Sequence, residues 1–519
     1  MNYIQNPILP GFHPDPSICY ANGKFYIVTS TFSYFPGVPI YESEDLQHFK
    51  LLGNILNRRE QLPLMGCEHS QGIFAPTIRF HDGMFYMITT NVSYGGNFVV
   101  TAANPEGPWS TPFFIEGAEG IDPSLFFDDD GSCYYIGTRP NPEGVQYNGD
   151  WMIYIQRFDT EQMRLVGDYK IVWNGALKNA VWPEGPHIYQ KDGYYYLMHA
   201  EGGTGPSHAI TIARSRSVWG PYEGCPNNPV FSHRYLGKDY PVQNVGHSDM
   251  VSAANGNWYA VMLASRPISG HTTLGRETFL ADVAWEDGWP VINPGEGKLY
   301  AEHPIDLPRG KMIPVSNALH FNSEHLDLRL VGLRLIEDCM YSLTARKDFL
   351  RLHMRDIFLA QTLNPSYLGI RQQHQSFMAE AMLDICFSQE NDSAGLAIVQ
   401  SNEANLQLLC QYREGALYVI VLTVVQGIET EIKSHRIMDC PSDKQGRLIF
   451  KIGKKLNHIT LAYTWRNSQD VILADDINGD FLSTESAGGF VGGTVGMYAA
   501  GIENTKGYAD FGWFVYEGL

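Results

Sequence analysis

Three acidic residues occupy similar proline-containing segments in the first half of the chain and could act as acid and base catalysts. Asp15 lies in His-Pro-Asp-Pro-Ser-Ile, Asp122 in Gly-Ile-Asp-Pro-Ser-Leu and Glu184 in Trp-Pro-Glu-Gly-Pro-His. The flanking prolines lack an amide donor and restrict the backbone, which suits a strand end that opens onto a pocket. Pairs of carboxylates are typical of glycosidic bond cleavage, because one protonates the leaving oxygen while the other works from the opposite face of the sugar.

A repeated turn motif indicates that these acids share a site. Asp-Pro is common in turns, so any one of the three taken alone would be interpreted as structural. The motif is Asn/Asp-Gly-x-aromatic-Tyr, with one cysteine in the aromatic slot, and its five glycines are Gly23, Gly83, Gly131, Gly193 and Gly256. Eight or nine residues before each glycine lies one position that should repeat in space: Asp15, Phe74, Asp122, Glu184 and His247. Three acids at one register of five repeats favour a shared site.

Each copy of the motif predicts a β-hairpin, because Asn-Gly and Asp-Gly tolerate positive φ and the aromatic residues that follow favour a strand. The glycines are 60, 48, 62 and 63 residues apart, which indicates five repeated sheets. Sheets repeated radially form a propeller, and the innermost strand of every blade faces its central channel. Residues 1–305 are therefore predicted to form a five-bladed β-propeller, with the five register positions around the channel mouth.

The repeat ends in a stretch at 299–317 that contains three prolines, and we predict a linker at 306–324. Strand-like runs such as 394–400 and 416–422 follow, separated by turn residues. They predict a second domain at 325–519, a β-sandwich of jelly-roll-like type. The whole chain is thus expected to be all-β, in agreement with its 13% aromatic residues and 51 glycines.

Composition excludes several functional classes for this chain of 519 residues. A net charge of −19 argues against nucleic acid or anionic membranes as partners. The eight cysteines form no C-x-x-C pair, so zinc and redox motifs lack support and we expect free thiols in a reducing compartment. No run of 18 apolar residues is present, so no membrane span is expected. The N-terminal segment lacks the basic and apolar regions of a secretion signal, and a cytoplasmic location is expected.

The order of the blades suggests a role for each acid. Blades three and four are neighbours, so Asp122 should lie near Glu184, and its charge should raise the pKa of the Glu184 carboxyl. Glu184 is then the candidate general acid and Asp122 its pKa modulator. Asp15 lies two blade steps from Glu184, which leaves room for a water. It is the candidate general base of an inverting mechanism, in which the two carboxyls are roughly 6.5–9.5 Å apart. This chemistry requires no cofactor.

Four more residues are candidate substrate contacts, each with a structural alternative. His247 could bind water or one calcium ion in the channel or orient a carboxylate, whereas a lone histidine is usually a packed core residue. Phe74 and Phe32 could stack on the apolar face of a sugar, although core packing explains either ring alone. Arg276 has forked donors that suit vicinal hydroxyls or a carboxylate, and a structural ion pair with Glu277 or another acid fits equally well.

Together these segments resemble glycoside hydrolase family 43. Segments 6–18, 120–126 and 182–189 are similar to those that carry the family's base, pKa-modulating aspartate and acid. Segment 274–280 resembles the one whose arginine contacts the sugar. The resemblance continues into the second domain at 368–374 and 508–511, so it covers nearly the whole chain.

The resemblance implies a five-bladed propeller with a C-terminal sandwich, and an exo-acting, inverting hydrolase of the β-xylosidase or α-L-arabinofuranosidase type. Such enzymes release single pentoses from xylo- or arabino-oligosaccharides. It also implies a sandwich loop that helps to close the pocket, in which Phe490 is the matching position. The β-xylosidase branch of the family has a tryptophan at the position of Phe74, so the preferred pentose stays open.

Two alternatives to this function and one expectation about assembly accompany the resemblance. An arabinanase of the same fold would need an open groove. A carbohydrate-binding propeller without catalysis would be expected to lack one of the three acids. We expect the protein to form a homo-oligomer. We also expect it to bind an oligosaccharide substrate.

Overall fold

Five four-stranded antiparallel sheets form the first part of the computed structural model, which describes residues 2–439, 445–466 and 468–519. The strands of this part are β1 (Asn2–Gln5), β2 (Ser17–Ala21), β3 (Lys24–Val28), β4 (Tyr34–Phe35), β5 (Gly37–Ser43), β6 (Lys50–Leu56), β7 (Thr77–His81), β8 (Met84–Asn91), β9 (Gly96–Ala102), β10 (Phe113–Phe114), β11 (Ser124–Phe127), β12 (Cys133–Pro140), β13 (Trp151–Asp159), β14 (Arg164–Trp173), β15 (Glu184–Lys191), β16 (Tyr194–Glu201), β17 (Ala209–Ser215), β18 (Glu223–Gly224), β19 (Gln243–Ser252), β20 (Trp258–Ser265), β21 (Glu277–Glu286), β22 (Trp289–Ile292) and β23 (Glu302–Ile305). The blades are β2-β3-β5-β6, β7-β8-β9-β10, β11-β12-β13-β14, β15-β16-β17-β18 and β19-β20-β21-β22. The predicted five-bladed propeller is confirmed.

The five predicted hairpins join the first two strands of each blade. In blade one, Asn22 and Gly23 connect β2 to β3 with φ of 52° and 80°. Positive φ at both central residues gives a turn whose twist matches that of the flanking strands. Each blade therefore begins with a hairpin at the same position of the sequence repeat.

Apolar clusters between neighbouring blades close the propeller. Tyr26 of blade one packs with Phe85 of blade two, and Ile27 of blade one shares a buried cluster with Val261 of blade five. Buried clusters also join blades two to three, three to four and four to five. Strand β1 pairs with β23, which ties the two ends of the propeller together. The innermost strands are therefore fixed around one axis.

The second domain is a two-sheet β-sandwich. Its elements are β24 (Ala318–His320), β25 (Gly332–Leu333), β26 (Tyr341–Ser342), β27 (Leu350–His353), β28 (Ser366–Arg371), β29 (Phe377–Cys386), β30 (Ser393–Val399), β31 (Ala404–Arg413), β32 (Ala416–Val425), β33 (Ile428–Asp439), β34 (Gln445–Lys455), β35 (His458–Trp465), β36 (Val471–Asn478), a 3₁₀ turn (Asp480–Leu482), the short helix α1 (Thr484–Ala487), β37 (Thr494–Ala500) and β38 (Tyr508–Gly518). One sheet has the order β26-β27-β38-β29-β34-β35-β36, with β24 also paired to β38, and the other has the order β28-β37-β30-β31-β32-β33. Alternating residues of the two inner faces form a single large core.

The two domains are joined by backbone pairing as well as by the chain itself. Strand β25 of the second domain pairs with β4 of blade one. Strand β24 belongs to the sandwich, although it lies within 306–324, the range in which the sequence predicted a linker. In the described part of the chain, no helix has the length and apolar character that crossing a membrane requires.

Candidate active site

A pocket of about 360 Å³ lies where the innermost strands of the blades begin. The register position of every blade contributes one residue to it, and the second domain contributes another. The structure brings together all eight residues that the sequence singled out: Asp15, Phe32, Phe74, Asp122, Glu184, His247, Arg276 and Phe490. The turn repeat therefore locates one site rather than a set of scattered turns.

An unusual backbone conformation recurs at the register position. Asp15, Asp122 and His247 have φ of 53°, 54° and 44°, in the left-handed region. This region is sparsely populated by residues other than glycine, although Asp and His adopt it more readily than most. Residues held there tend to cluster at functional sites, where the surrounding fold maintains the strain.

Asp15 is buried and held by two partners. Ser30 Oγ donates to Asp15 Oδ2 at 2.5 Å, and Arg276 Nη1 donates to Asp15 Oδ1 at 2.8 Å. A second guanidinium nitrogen, Nη2, reaches Oδ2 at 3.4 Å. These bonds fix the direction of the carboxylate within the pocket, as the role of a general base requires.

Glu184 opens strand β15 and faces the same pocket. Burial raises the pKa of the Glu184 carboxyl to about 7, with the negative charge of Asp15 as the second cause and Arg276 opposing both. A carboxyl that holds its proton near neutral pH can act as a general acid. Glu184 thus shares the pocket with Asp15, a carboxyl that is paired with an arginine.

Asp122 is buried in the same pocket as the other two acids. Burial, the charge of Glu184 and the charge of Asp15, in that order, raise the pKa of Asp122 well above its usual value. The sequence predicted that the charge of Asp122 raises the pKa of Glu184. In the structure, burial is the first and the charge of Asp15 the second cause that raises the pKa of Glu184, and Asp122 and Glu184 repel each other when both are ionised. Close carboxyls cannot all ionise, so the pair retains a proton.

Two buried histidines complete the polar wall of the pocket. His247 packs so closely on Gly185 that a Cβ there would lie 2.8 Å from its ring. Burial is the main cause that lowers the pKa of His247, and Arg276 adds to it while Asp15 opposes it. His208 Nδ1 bonds to the carbonyl of Asn244 at 3.0 Å, and burial lowers its pKa to about 3. Both rings are therefore neutral at pH 7.

Arg79, a cation of the protein itself, lies among the innermost strands of the blades, on β7. Arg79 Nη1 donates to Asp249 Oδ2 at 2.8 Å, and Arg79 Nη2 bonds to His187 Nδ1 at 2.9 Å. Calcium prefers six to eight oxygen ligands, whereas this channel offers imidazole nitrogens and a carboxylate that Arg79 already engages. Among the described residues no group of three or more His, Cys, Asp or Glu is placed to bind a metal. The side chains described around His247 therefore do not form the oxygen-rich ligand set that calcium prefers.

The second domain closes one side of the pocket through the loop after α1. Phe490 packs on Phe32 and Phe74, with ring centroids 6.0 and 6.1 Å away. Its backbone N–H donates to Ser70 Oγ at 2.9 Å, and its carbonyl lies 3.5 Å from Arg276 Nη2. Three phenylalanines from two domains thus form an aromatic wall beside the carboxylates.

Comparison with known proteins identifies this arrangement. Residues 4–290 match the model of glycosyl hydrolases family 43. The chain belongs to glycoside hydrolase family 43. Residues 318–517 of this family 43 hydrolase match a second model, the beta xylosidase C-terminal concanavalin A-like domain.

Individual relatives of this family 43 hydrolase are similar over their full length. It is 52% identical to a xylosidase/arabinosidase of Butyrivibrio fibrisolvens, with 100% of both chains covered. It is 37% identical to a non-reducing-end α-L-arabinofuranosidase of Bacteroides ovatus, covering 99% of this chain and 95% of that protein. The solved structure of a Bacillus halodurans xylan β-1,4-xylosidase superposes with a TM-score of 0.92 at 34% identity, covering 99% and 100% of the two chains.

Eight residues that line the pocket of this family 43 hydrolase were not found by sequence reasoning: Ala75, Ile121, Trp151, Trp182, Gly203, Thr204, His208 and Leu263. Trp182 offered a signal, because it stands two residues before Glu184. Its ring lies between two glycines, and a Cβ on Gly149 or Gly203 would come within 3.1 or 2.9 Å of it. Thr204, whose Oγ1 accepts from Arg276 Nη1 at 3.2 Å, lies in a loop with no repeat to mark it.

Proposed function

We propose that this glycoside hydrolase releases single terminal pentoses, β-D-xylose or α-L-arabinofuranose or both, from xylo- or arabino-oligosaccharides with inversion of configuration. One observation carries the proposal: a carboxyl with a raised pKa, Glu184, faces the same pocket as an arginine-paired carboxylate, Asp15. The names of the Butyrivibrio fibrisolvens and Bacteroides ovatus relatives support the choice of pentoses.

Glu184 and Asp15 carry out the two proton transfers of the reaction. Glu184 gives its proton to the glycosidic oxygen as the bond to the anomeric carbon breaks. Asp15 takes a proton from the water that attacks this carbon from the opposite face, so the product has inverted configuration. Asp122 stays protonated beside Glu184 and adds no charge there, while Arg276 orients Asp15 and offers donors to sugar hydroxyls. The proton that leaves the water balances the one that Glu184 has given away.

Exo action is supported by the shape of the site. The aromatic wall of Phe32, Phe74 and Phe490 blocks one side, so the pocket holds the end of a sugar chain. A larger cavity of about 830 Å³ adjoins it through Thr204, Arg276 and Phe490, and the rest of the oligosaccharide fits there. An arabinanase would need an open groove on both sides of the carboxylates, and a non-catalytic binding propeller would not need all three acids.

NMR and chromogenic substrates test this function. Turnover of p-nitrophenyl β-xyloside and p-nitrophenyl α-L-arabinofuranoside should be measured side by side, and the first anomer released from xylobiose should be followed by NMR. We expect turnover of at least one substrate and a first product of inverted configuration. Retained configuration would contradict the role of Asp15 as a base, and no turnover of either substrate would contradict the substrate class.

We make two further proposals, on the oligomeric state and the cellular location of the enzyme. Exposed apolar side chains on outer strands, Phe113 and Phe114 on β10 and Ile428 on β33, support a homo-oligomer, which light scattering would measure. None of the seven cysteines that the structure describes is in a disulfide, which supports a reducing compartment such as the cytoplasm. Cys440 lies outside the described residues. Cell fractionation would locate the protein.

A further inference from the structure

The chain just before Asp15 runs antiparallel to the start of β21. Leu9 and Thr278 exchange two backbone hydrogen bonds of 3.3 and 3.2 Å, and the N–H of His13 donates to the carbonyl of Arg276 at 3.1 Å. Asp15 follows two residues after His13. This short pairing therefore sets where the carboxylate of Asp15 stands relative to Arg276, its partner in the pocket.

Glu277 adds a side-chain contact to this pairing. Its Oε1 accepts the backbone N–H of Gly11 at 2.7 Å, and its side chain is fully buried. Arg266, the residue after β20, binds the same carboxylate, with Nε 2.6 Å from Oε2 and Nη2 2.8 Å from Oε1. Arg276 pairs with Asp15 instead, although the sequence also allowed Glu277 as its partner. The buried acid beside Arg276 thus holds the segment that leads to the base.

Thr278 and the second domain hold the same segment from two further sides. Thr278 Oγ1 is fully buried and donates to the carbonyl of His13 at 2.6 Å. Gly11 has φ of 82° and lies against the sandwich, where a Cβ on it would come within 2.2 Å of the carbonyl oxygen of Gln372. The segment has no room to move towards the second domain, so its position along β21 depends on the side chains of Glu277 and Thr278.

We propose that Glu277 and Thr278 are positioning residues for the reaction. They act through the backbone that precedes Asp15 and hold this base in its two-point contact with Arg276. The proposal rests on the function inferred above, in which Asp15 must be aimed at the attacking water. Neither Glu277 nor Thr278 lines the pocket, so their effect should fall on the chemical step rather than on sugar binding.

Thr278→Val tests the hydroxyl, because valine keeps the volume of the side chain and removes only the bond to His13. We expect kcat to fall by about 10-fold and KM to change by less than about 2-fold, since the lost contact orients the base. Steady-state kinetics on the better chromogenic pentoside measures both constants. Thr464→Val removes a hydroxyl bonded to Asp470 on the sandwich and is the control. An unchanged kcat in Thr278→Val, or an equal loss in the control, would overturn the proposal.

Glu277 is tested together with its partner, because removing the carboxylate alone would leave the charge of Arg266 unpaired. Arg266→Met/Glu277→Met removes both charges and the acceptor for the N–H of Gly11, whereas Arg266→Met/Glu277→Gln keeps an oxygen for that N–H. We expect the first to lose at least about 10-fold in kcat and the second to recover most of it. Equal kcat in these two variants would contradict the role of Glu277. Arg413→Met/Glu431→Met, which removes a two-point ion pair of the sandwich, should keep kcat.

A crystal structure of full-length Thr278→Val separates this proposal from the proposed function. We expect the longer contact between Arg276 and Asp15, 3.4 Å between Nη2 and Oδ2 in the unmodified enzyme, to be broken in the variant. An unchanged two-point contact would overturn the positioning role even in an enzyme that hydrolyses both pentosides. If the unmodified enzyme turned over neither pentoside, the proposed function would fail, and the geometry of the variant would still decide whether Thr278 positions Asp15.

Discussion

Arg276 and Asp15 form a two-point ion pair at the pocket although they lie 261 positions apart in the chain. Nη1 meets Oδ1 at 2.8 Å and Nη2 meets Oδ2 at 3.4 Å, so the planar guanidinium fixes the direction of the carboxylate. Arg276 reaches Thr204 and the carbonyl of Phe490 with the same two nitrogens. It therefore connects blade one, blade four, blade five and the second domain at a single point.

Replacing Arg276 by lysine should reduce kcat/KM by about 100-fold. Lysine keeps a positive charge but offers a single ammonium group, which cannot make the forked contact with Asp15. Steady-state kinetics on the better chromogenic substrate would measure the loss. As control, Arg214→Lys changes an arginine on the outside of blade four that pairs with Glu223. If both variants retained full activity, the ion pair would not orient the base.

The substitution Glu184→Gln should lower kcat by about 10²–10⁴-fold while leaving the fold intact, because it keeps the shape of the side chain and removes only the proton donor. The loss should be smaller for a substrate with a p-nitrophenolate leaving group, which needs little protonation. Comparing xylobiose with the p-nitrophenyl glycoside measures this difference. Glu223→Gln, on the surface, is the matched control. Equal losses on both substrates would argue against Glu184 as the acid.

Activity should fall as the pH rises through about 7, because the pKa of Glu184 is raised to about 7 and the acid must be protonated. The same shift affects stability. Since the folded pKa lies above the usual value of 4.5, the stabilising contribution of the protonated group is complete below pH 4.5 and is lost as the pH rises through 7. Glu184→Gln lacks this loss, so its melting temperature relative to that of the unmodified enzyme should increase between pH 4.5 and 8. A constant difference across this range would show that Glu184 has an ordinary pKa.

Glu485 should position the loop that carries Phe490. Its carboxylate accepts from the backbone N–H of Thr272 at 2.6 Å and from Thr272 Oγ1 at 2.8 Å. Glu485→Ala should raise KM by about 10-fold with a smaller effect on kcat, since the contact fixes a pocket wall rather than a reacting group. Thr272→Val removes one of the two contacts, so a double-mutant cycle should be non-additive. Glu503→Ala, an exposed change elsewhere on the second domain, is the control, and strict additivity would exclude the contact.

Phe74→Trp should shift the preference of the enzyme toward xylosides. A larger ring beside Phe490 in the same aromatic wall narrows the pocket and supplies the residue that the β-xylosidase branch has at this position. The ratio of kcat/KM for the p-nitrophenyl β-xyloside to that for the α-L-arabinofuranoside should rise by about 5-fold or more. Phe114→Trp, an exposed ring of blade two outside the pocket, should leave the ratio unchanged. A ratio that fell or stayed constant would show that this wall does not select the pentose.

The sequence predicts structure best where its motifs are local and repeated. The pair Asn22-Gly23 and its four counterparts specify turns through backbone preferences that do not depend on the rest of the fold. The positions eight or nine residues before the turn glycines are occupied by Asp15, Phe74, Asp122, Glu184 and His247. The structure places these five residues around one pocket. His208 and Thr204 were not predicted, because both lie in or next to an irregular loop after β16 that has no counterpart in the repeat.

The sequence by itself determined the five blades, the sandwich, the family and the group of residues around the axis, because turn chemistry and alternation are encoded within a few residues. Only the tertiary structure decided how these residues act on one another. Whether Asp15 or Asp122 raises the pKa of Glu184 depends on burial and on distances between blades, which no local pattern contains. The closing contact of Phe490 likewise arises from domain docking, where residues hundreds of positions apart first come into contact.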